Sequence, residues 1–178
     1  GIYSVTVTDL NGCTASSTVT ITEPTAIVTV IVSQTDPLCN GSADGTAEVS
    51  SSGGTGSFSF LWSSGDTTQN VTGLGSGPYS VLLTDSNGCT EQLDSILISE
   101  PPAILVSIQQ ITNVLCFGDS SGQISINASS GQGNFNFLWS SGDTTQNISG
   151  FGPGVYSVLL TYSAGCTEEI DSILISER

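Results

Sequence analysis

The chain repeats itself without a gap. Residues Ala26–Glu100 and Ala103–Glu177 align end to end, with 44 of 75 positions identical. The stretch FLWSSGDTTQN occurs at Phe60–Asn70 and again, unchanged, at Phe137–Asn147. The agreement is uneven: 11 of 32 positions before Phe58 and 33 of 43 from Phe58 onward. A long exact period means that one supersecondary unit is used repeatedly. The opening residues belong to the same series. Tyr3-Ser4-Val5-Thr6-Val7-Thr8-Asp9 echoes Tyr79-Ser80-Val81-Leu82-Leu83-Thr84-Asp85, and Asn11-Gly12-Cys13-Thr14 echoes Asn87-Gly88-Cys89-Thr90. The expected organisation is therefore the C-terminal strands of a truncated repeat over 1–24, then complete repeats over 25–101 and 102–178. The Glu23-Pro24 and Glu100-Pro101 steps are natural joints, because proline pushes the residue before it into an extended conformation.

Each unit reads as short antiparallel strands. Ala26–Ser33 and Gly45–Ser51 are candidate first and second strands, separated from the third by Ser52-Gly53-Gly54-Thr55-Gly56. Phe58, Phe60 and Trp62 alternate and share a face, as do Phe135, Phe137 and Trp139. A short strand near Gln69–Thr72 precedes a glycine-rich turn. Tyr79 and Val81, with Tyr156 and Val158 in the second copy, form another inward face. Asn87-Gly88 signals a two-residue hairpin. Ile96 and Ile98 complete the core of the returning strand. The expected fold is all-β: tandem immunoglobulin-like β-sandwich repeats of about 77 residues.

Charge excludes several functions. One basic residue, Arg178, stands against sixteen acidic ones, with no histidine, for a formal net charge of −15. Nucleic acid and anionic membrane surfaces repel such a chain, and the apolar runs are too short to cross a bilayer. No histidine or lysine is present to serve as the base of a serine hydrolase triad. An enzyme is not expected.

The five cysteines fall on two repeat positions: Cys39 and Cys116 on one, Cys13, Cys89 and Cys166 on the other. The simplest pairing is Cys39–Cys89 and Cys116–Cys166, with Cys13 bonded to a cysteine outside the chain. Structural disulfides imply an extracellular setting. Zinc does not fit two thiols per repeat without histidine.

Several spaced blocks resemble the SprB repeat. They are Cys39-Asn40-Gly41-Ser42-Ala43-Asp44-Gly45, Gly53-Gly54-Thr55-Gly56, Trp62-Ser63-Ser64-Gly65-Asp66-Thr67-Thr68-Gln69, Gly77-Pro78-Tyr79-Ser80-Val81 and Asp85-Ser86-Asn87-Gly88-Cys89-Thr90. The last copy departs most, with Cys116-Phe117-Gly118-Asp119 and Tyr162-Ser163-Ala164-Gly165 at the corresponding places. The resemblance implies a PKD or immunoglobulin-like module in very large surface adhesins of Bacteroidota, exported by type IX secretion. It implies a role in surface adhesion, with gliding motility as a further expectation, and a location at the cell surface, outer-membrane-attached or in a filament. It also implies O-glycan acceptors, since Asp-Thr-Thr at 66–68 and 143–145 and Asp-Ser-Ile at 94–96 and 171–173 resemble the Bacteroidota sequon. The acceptors would be Thr67, Ser95, Thr144 and Ser172.

The expected partners are neighbouring repeats of the same chain; the surface or glycan ligand stays unassigned. Two rival readings remain. Outward Leu82 and Leu97, with Leu159 and Leu174, could form the seam of a laterally self-associating filament or sheath. Trp62 and Trp139 could stack on sugars in a carbohydrate-binding module, against a plain core role. No cofactor is expected; calcium alone stays open, with Asp36, Asp44, Asp66, Asp85 and Asp94 in or near turns.

Overall fold

The computed structural model describes residues 1–129, 134–162 and 165–177. The described residues hold strands and turns. The strands are β1 (Ile2–Thr8), β2 (Thr14–Thr20), β3 (Val28–Thr35), β4 (Gly45–Ser52), β5 (Ser59–Trp62), β6 (Asn70–Leu74), β7 (Gly77–Thr84), β8 (Thr90–Ile98), β9 (Leu105–Thr112), β10 (Gly122–Ser129), β11 (Phe135–Trp139), β12 (Ile148–Phe151), β13 (Gly154–Tyr162) and β14 (Thr167–Ile175).

β3–β8 make one sandwich. One three-stranded sheet has the order β3-β4-β6 and the other β5-β7-β8. The connections from β4 to β5, β5 to β6 and β6 to β7 each cross between sheets, which is the Greek-key wiring of immunoglobulin-type sandwiches. β9–β14 repeat it as β9-β10-β12 and β11-β13-β14. In the second copy the segment after β9 changes sheets: Val114 forms an isolated parallel bridge with Glu177, donating its N–H to the Ser176 carbonyl at 3.0 Å.

The two cores share no residue. Ala47, Val49, Trp62, Val71, Leu74, Val81, Leu83, Ile96 and Ile98 form the first, with Phe58, Phe60 and Tyr79 packed against it. Val114, Ile124, Ile126, Trp139, Ile148, Val158, Leu160, Ile173 and Ile175 form the second, with Phe135, Phe137 and Tyr156 alongside. Tyr79 opens β7 and donates its hydroxyl to the Gly75 carbonyl at 3.2 Å; Tyr156 does the same to Gly152 at 3.1 Å. This tyrosine corner and the buried tryptophan on the third strand are both hallmarks of the immunoglobulin fold. Ala47 and Val49 of β4 and Val81 of β7, on the two facing sheets, are all fully buried.

Strict alternation cannot account for these cores. Val71 and Leu74 are three residues apart yet both buried, because the register slips between Gly45 and Thr46, leaving Gly73 unpaired at φ 78°. An extra residue at a bulge resets which face the side chains take. Leu93 and Ile96 face inward by the same device, with Ser95 at φ 66° in the β7–β8 bulge and Ser172 at φ 60° in the second copy. Non-glycine residues seldom adopt this conformation, so its presence in both copies marks a demand of the fold.

The expected two-residue Asn87-Gly88 hairpin is a correction. Such a turn needs positive φ at both central residues, and here only Gly88 has it, at 84°. Asp85 instead starts a wider loop in which Gly88 N–H donates to the Asp85 carbonyl and Asp85 N–H to the Cys89 carbonyl, at 3.0 and 2.9 Å. Ser163 and Ala164, the corresponding turn residues of the last copy, lie outside the described residues.

β1 and β2 form a two-stranded sheet. Tyr3, Val5, Val7, Val19 and Ile21 are all more than half exposed. They align with Tyr79, Val81, Leu83, Ile96 and Ile98 of the first sandwich, so this hairpin presents a core face that no described residue covers.

Candidate functional site

The eleven repeated residues carry the chain from one sheet to the other. Phe60 and Trp62 point into the core, and Trp62 donates its indole N–H to the Thr68 carbonyl at 2.8 Å. Ser64 donates to Asp66 at 2.7 Å, which closes the turn, and Ser63 Oγ accepts from Ser80 N–H at 3.1 Å. Gln69, at the entry to β6, donates its side-chain amide to the Val49 carbonyl of the neighbouring β4 at 2.7 Å. The second copy repeats these contacts through Trp139–Thr145, Ser141–Asp143, Ser157–Ser140 and Gln146–Ile126. The motif is thus an architectural clamp. Trp62 and Trp139 are each 2% exposed and offer no ring to a sugar.

The chemistry of this chain collects at the ends of the sandwiches. One end of the first sandwich carries the β3–β4 loop, the β6–β7 turn and the exit from β8. There Asp36 accepts from Ser99 N–H at 2.9 Å, Glu100 from Gly41 N–H at 2.7 Å, and Asn40 donates to the Pro101 carbonyl at 3.1 Å. The opposite end carries the β4–β5 and β7–β8 loops. Asp85, 5% exposed, ties them together by accepting from Thr55, Asn87 and Cys89 N–H, each at 2.9 Å. Burial opposes ionisation of Asp85, but the N–H groups of Cys89, Thr55, Asn87 and Gly88 outweigh it and hold the carboxyl below its ordinary range.

This geometry corrects the disulfide pairing. Cys39 sits in the β3–β4 loop and Cys89 in the β7–β8 loop, at opposite ends of one sandwich. Strands of this length, eight residues in β7, hold the ends about 26 Å apart. A disulfide needs Cα atoms within roughly 7 Å. Cys116 and Cys166 are separated in the same way. The structure joins Cys39 to Cys166, 127 residues on, with Cα atoms 5.6 Å apart. Cys13, Cys89 and Cys116 are exposed and unbonded. The β3–β4 end of the first sandwich therefore meets the β13–β14 end of the second, and the bond crosses the joint. Tyr162, which replaces Asp85 in the repeat, adds to this contact by donating its hydroxyl to the Leu38 carbonyl at 3.3 Å. A cleft at the joint is lined by Cys39, Asn40, Ala103, Ile104, Tyr162 and Cys166.

The other candidate residues are dispersed. Thr67, Ser95, Thr144 and Ser172 are all exposed. Leu97 and Leu174 point outward at 60% and 58% exposure, while Leu82 and Leu159 are half-buried. Leu61 lies opposite Leu82, and Leu138 opposite Leu159, so both sandwiches show the same outward apolar pair. Among the carboxylates raised for calcium, Asp44 accepts from Ser42 and Leu38, and Asp94 from Gln92. No group of three or more metal-ligating side chains occurs among the described residues. Among the described residues no helix is long and apolar enough to cross a membrane.

Two stretches match the family model described as the SprB repeat, residues 31–67 and 108–144. Their starts and ends are offset by 77 residues, so they cover equivalent parts of the two sandwiches. No curated protein matches the chain. Among solved structures, the crystal structure of Down Syndrome Cell Adhesion Molecule (DSCAM) isoform 1.30.30, N-terminal eight Ig domains, is similar with a TM-score of 0.47 at 11% sequence identity. The match covers 99% of this chain and 28% of that one.

Proposed function

We propose that this chain, which carries two SprB repeats, is part of the stalk of a large secreted cell-surface adhesin. Its role is mechanical rather than catalytic: it sets the distance between the cell and whatever the adhesin grips. The joint carries this reading. A loop of one sandwich hydrogen-bonds the linker and is bonded covalently to the facing end of the next, which suits end-to-end stacking under load. The charge of −15 keeps neighbouring stalks apart by repulsion. Surface adhesion, and gliding where the cell glides, are the biological roles this arrangement would serve. The exposed hydroxyls of Thr67, Ser95, Thr144 and Ser172 are the proposed glycan acceptors; an intact mass of native protein without sugar increments would remove them. Small-angle scattering tests the stalk. Adding repeats should lengthen the particle by about 30 Å each, the span of a nine-residue strand. A particle that thickens without lengthening rejects the reading.

A second reading is lateral packing into a sheath, favoured by the outward apolar pair repeated on both sandwiches. Sedimentation that stays monomeric at high concentration and high salt, where repulsion is screened, would rule it out.

A further inference from the structure

We propose that the bond between Cys39 and Cys166 is one rung of a series: in a tandem array, the β3–β4 loop cysteine of each sandwich bonds to the β7–β8 loop cysteine of the next. This deepens the stalk reading and rests on it. Cys116 occupies the place of Cys39, and Cys89 the place of Cys166. Both are exposed and unbonded because neither end has its counterpart sandwich in this chain. The end of the second sandwich that carries Cys116 also exposes an aromatic side chain. Phe117, beside Cys116, is 87% exposed, whereas Leu115 at 68% is no more than slightly freer than Leu38, which stays 63% exposed with its joint made. Leu115 aligns with Leu38, whose carbonyl is the acceptor across the existing joint. The partner is thus another repeat of the same type, presented by its β7–β8 loop. Cys13, in the corresponding loop of β1–β2, would take the β3–β4 loop cysteine of the sandwich before its own.

Each rung forms when two thiols give up two electrons and two protons to a small-molecule disulfide, which is reduced to two thiols. The consequence is directional. Bonds within a sandwich would lock each module alone. Bonds between sandwiches lock every joint and leave each core to fold without cysteine. The stalk is then stiff when oxidised and hinged when reduced.

The test starts with this chain, refolded under oxidised glutathione and mapped as non-reduced peptides. The expected result is a Cys39–Cys166 linkage, with Cys13, Cys89 and Cys116 alkylated. The Cys39→Ser variant should leave Cys166 free; a new Cys116–Cys166 bond in it would overturn the argument from opposite ends. The chain is then extended by a further copy of residues 102–178, with Arg178→Pro to restore the joint. Cys116 should bond to the second cysteine of the added copy. If the added sandwich folds, by its tryptophan fluorescence, and Cys116 stays alkylated, the series is refuted. Scattering on the same sample reads the stalk separately: an elongated particle without the bond sinks the rungs alone, and a compact one sinks the stalk.

Discussion

Replacing Trp62 by phenylalanine separates the two cores by measurement. Trp62 is 2% exposed and its indole N–H satisfies the Thr68 carbonyl at 2.8 Å. Phenylalanine keeps part of the apolar contact but removes the donor. An unmade buried hydrogen bond costs about 1–3 kcal/mol. Truncation of a tryptophan to alanine, roughly 3–5 kcal/mol, bounds the loss of volume from above. The first sandwich should therefore lose ~2–4 kcal/mol. In a domain of this size each kcal/mol moves the midpoint by about 4–8 °C, so a fall of at least ~8 °C is expected. The chain has two tryptophans, one in each core. In Trp62→Phe the remaining fluorescence comes from Trp139 and reports the second sandwich alone, while circular dichroism reports both. Under reducing conditions, which open the bond across the joint, the Trp139 transition should stay in place as the dichroism gains an earlier one. Trp139→Phe should give the mirror result. A single transition shifted equally for both probes would refute separate cores, and an unchanged first transition would refute the energetic role given to the indole.

Gly45→Ala and Gly122→Ala should each destabilise their own sandwich by about 1–3 kcal/mol through overpacking. An added Cβ would lie 2.8 Å from the Leu74 carbonyl oxygen and 2.7 Å from that of Phe151, respectively; unchanged midpoints in calorimetry would contradict this. Asp85 contributes stability that is present above its unfolded pKa and is lost as pH falls through its depressed folded value. Asp85→Asn should therefore lower the neutral-pH midpoint of the first sandwich and flatten its acid dependence; an acid limb as steep as in the parent would count against the cap. Tyr79→Phe should cost about 0.5–1.5 kcal/mol, the worth of one hydrogen bond, seen as a lower denaturant midpoint at unchanged slope.

Much of the architecture was legible in the residues. Alternation at Phe58, Phe60 and Trp62 identifies a strand with one inward face, and the glycine-rich turns mark the ends of strands, because both signals are local. Two expectations failed, each for its own reason. Asn87-Gly88 is a hairpin signal by residue type, but Asp85 captures the neighbouring N–H groups and selects a wider loop. The cysteine pairs suggested by the repeat were wrong because position in a repeat says nothing about which end of a sandwich a loop occupies. The bulges at Gly73 and Ser95 were also hidden, since a single unpaired residue leaves no periodic trace.

The amino-acid sequence alone determined the period, the strand-rich class, the acidic surface and the residues able to fill a core, because these depend on side-chain chemistry and spacing along the chain. Tertiary structure decided which faces meet after each bulge and which cysteines come within bonding reach. Those outcomes depend on distances through space, and an eight-residue strand carries two loops of one repeat farther apart than a short linker separates the end of one sandwich from the beginning of the next.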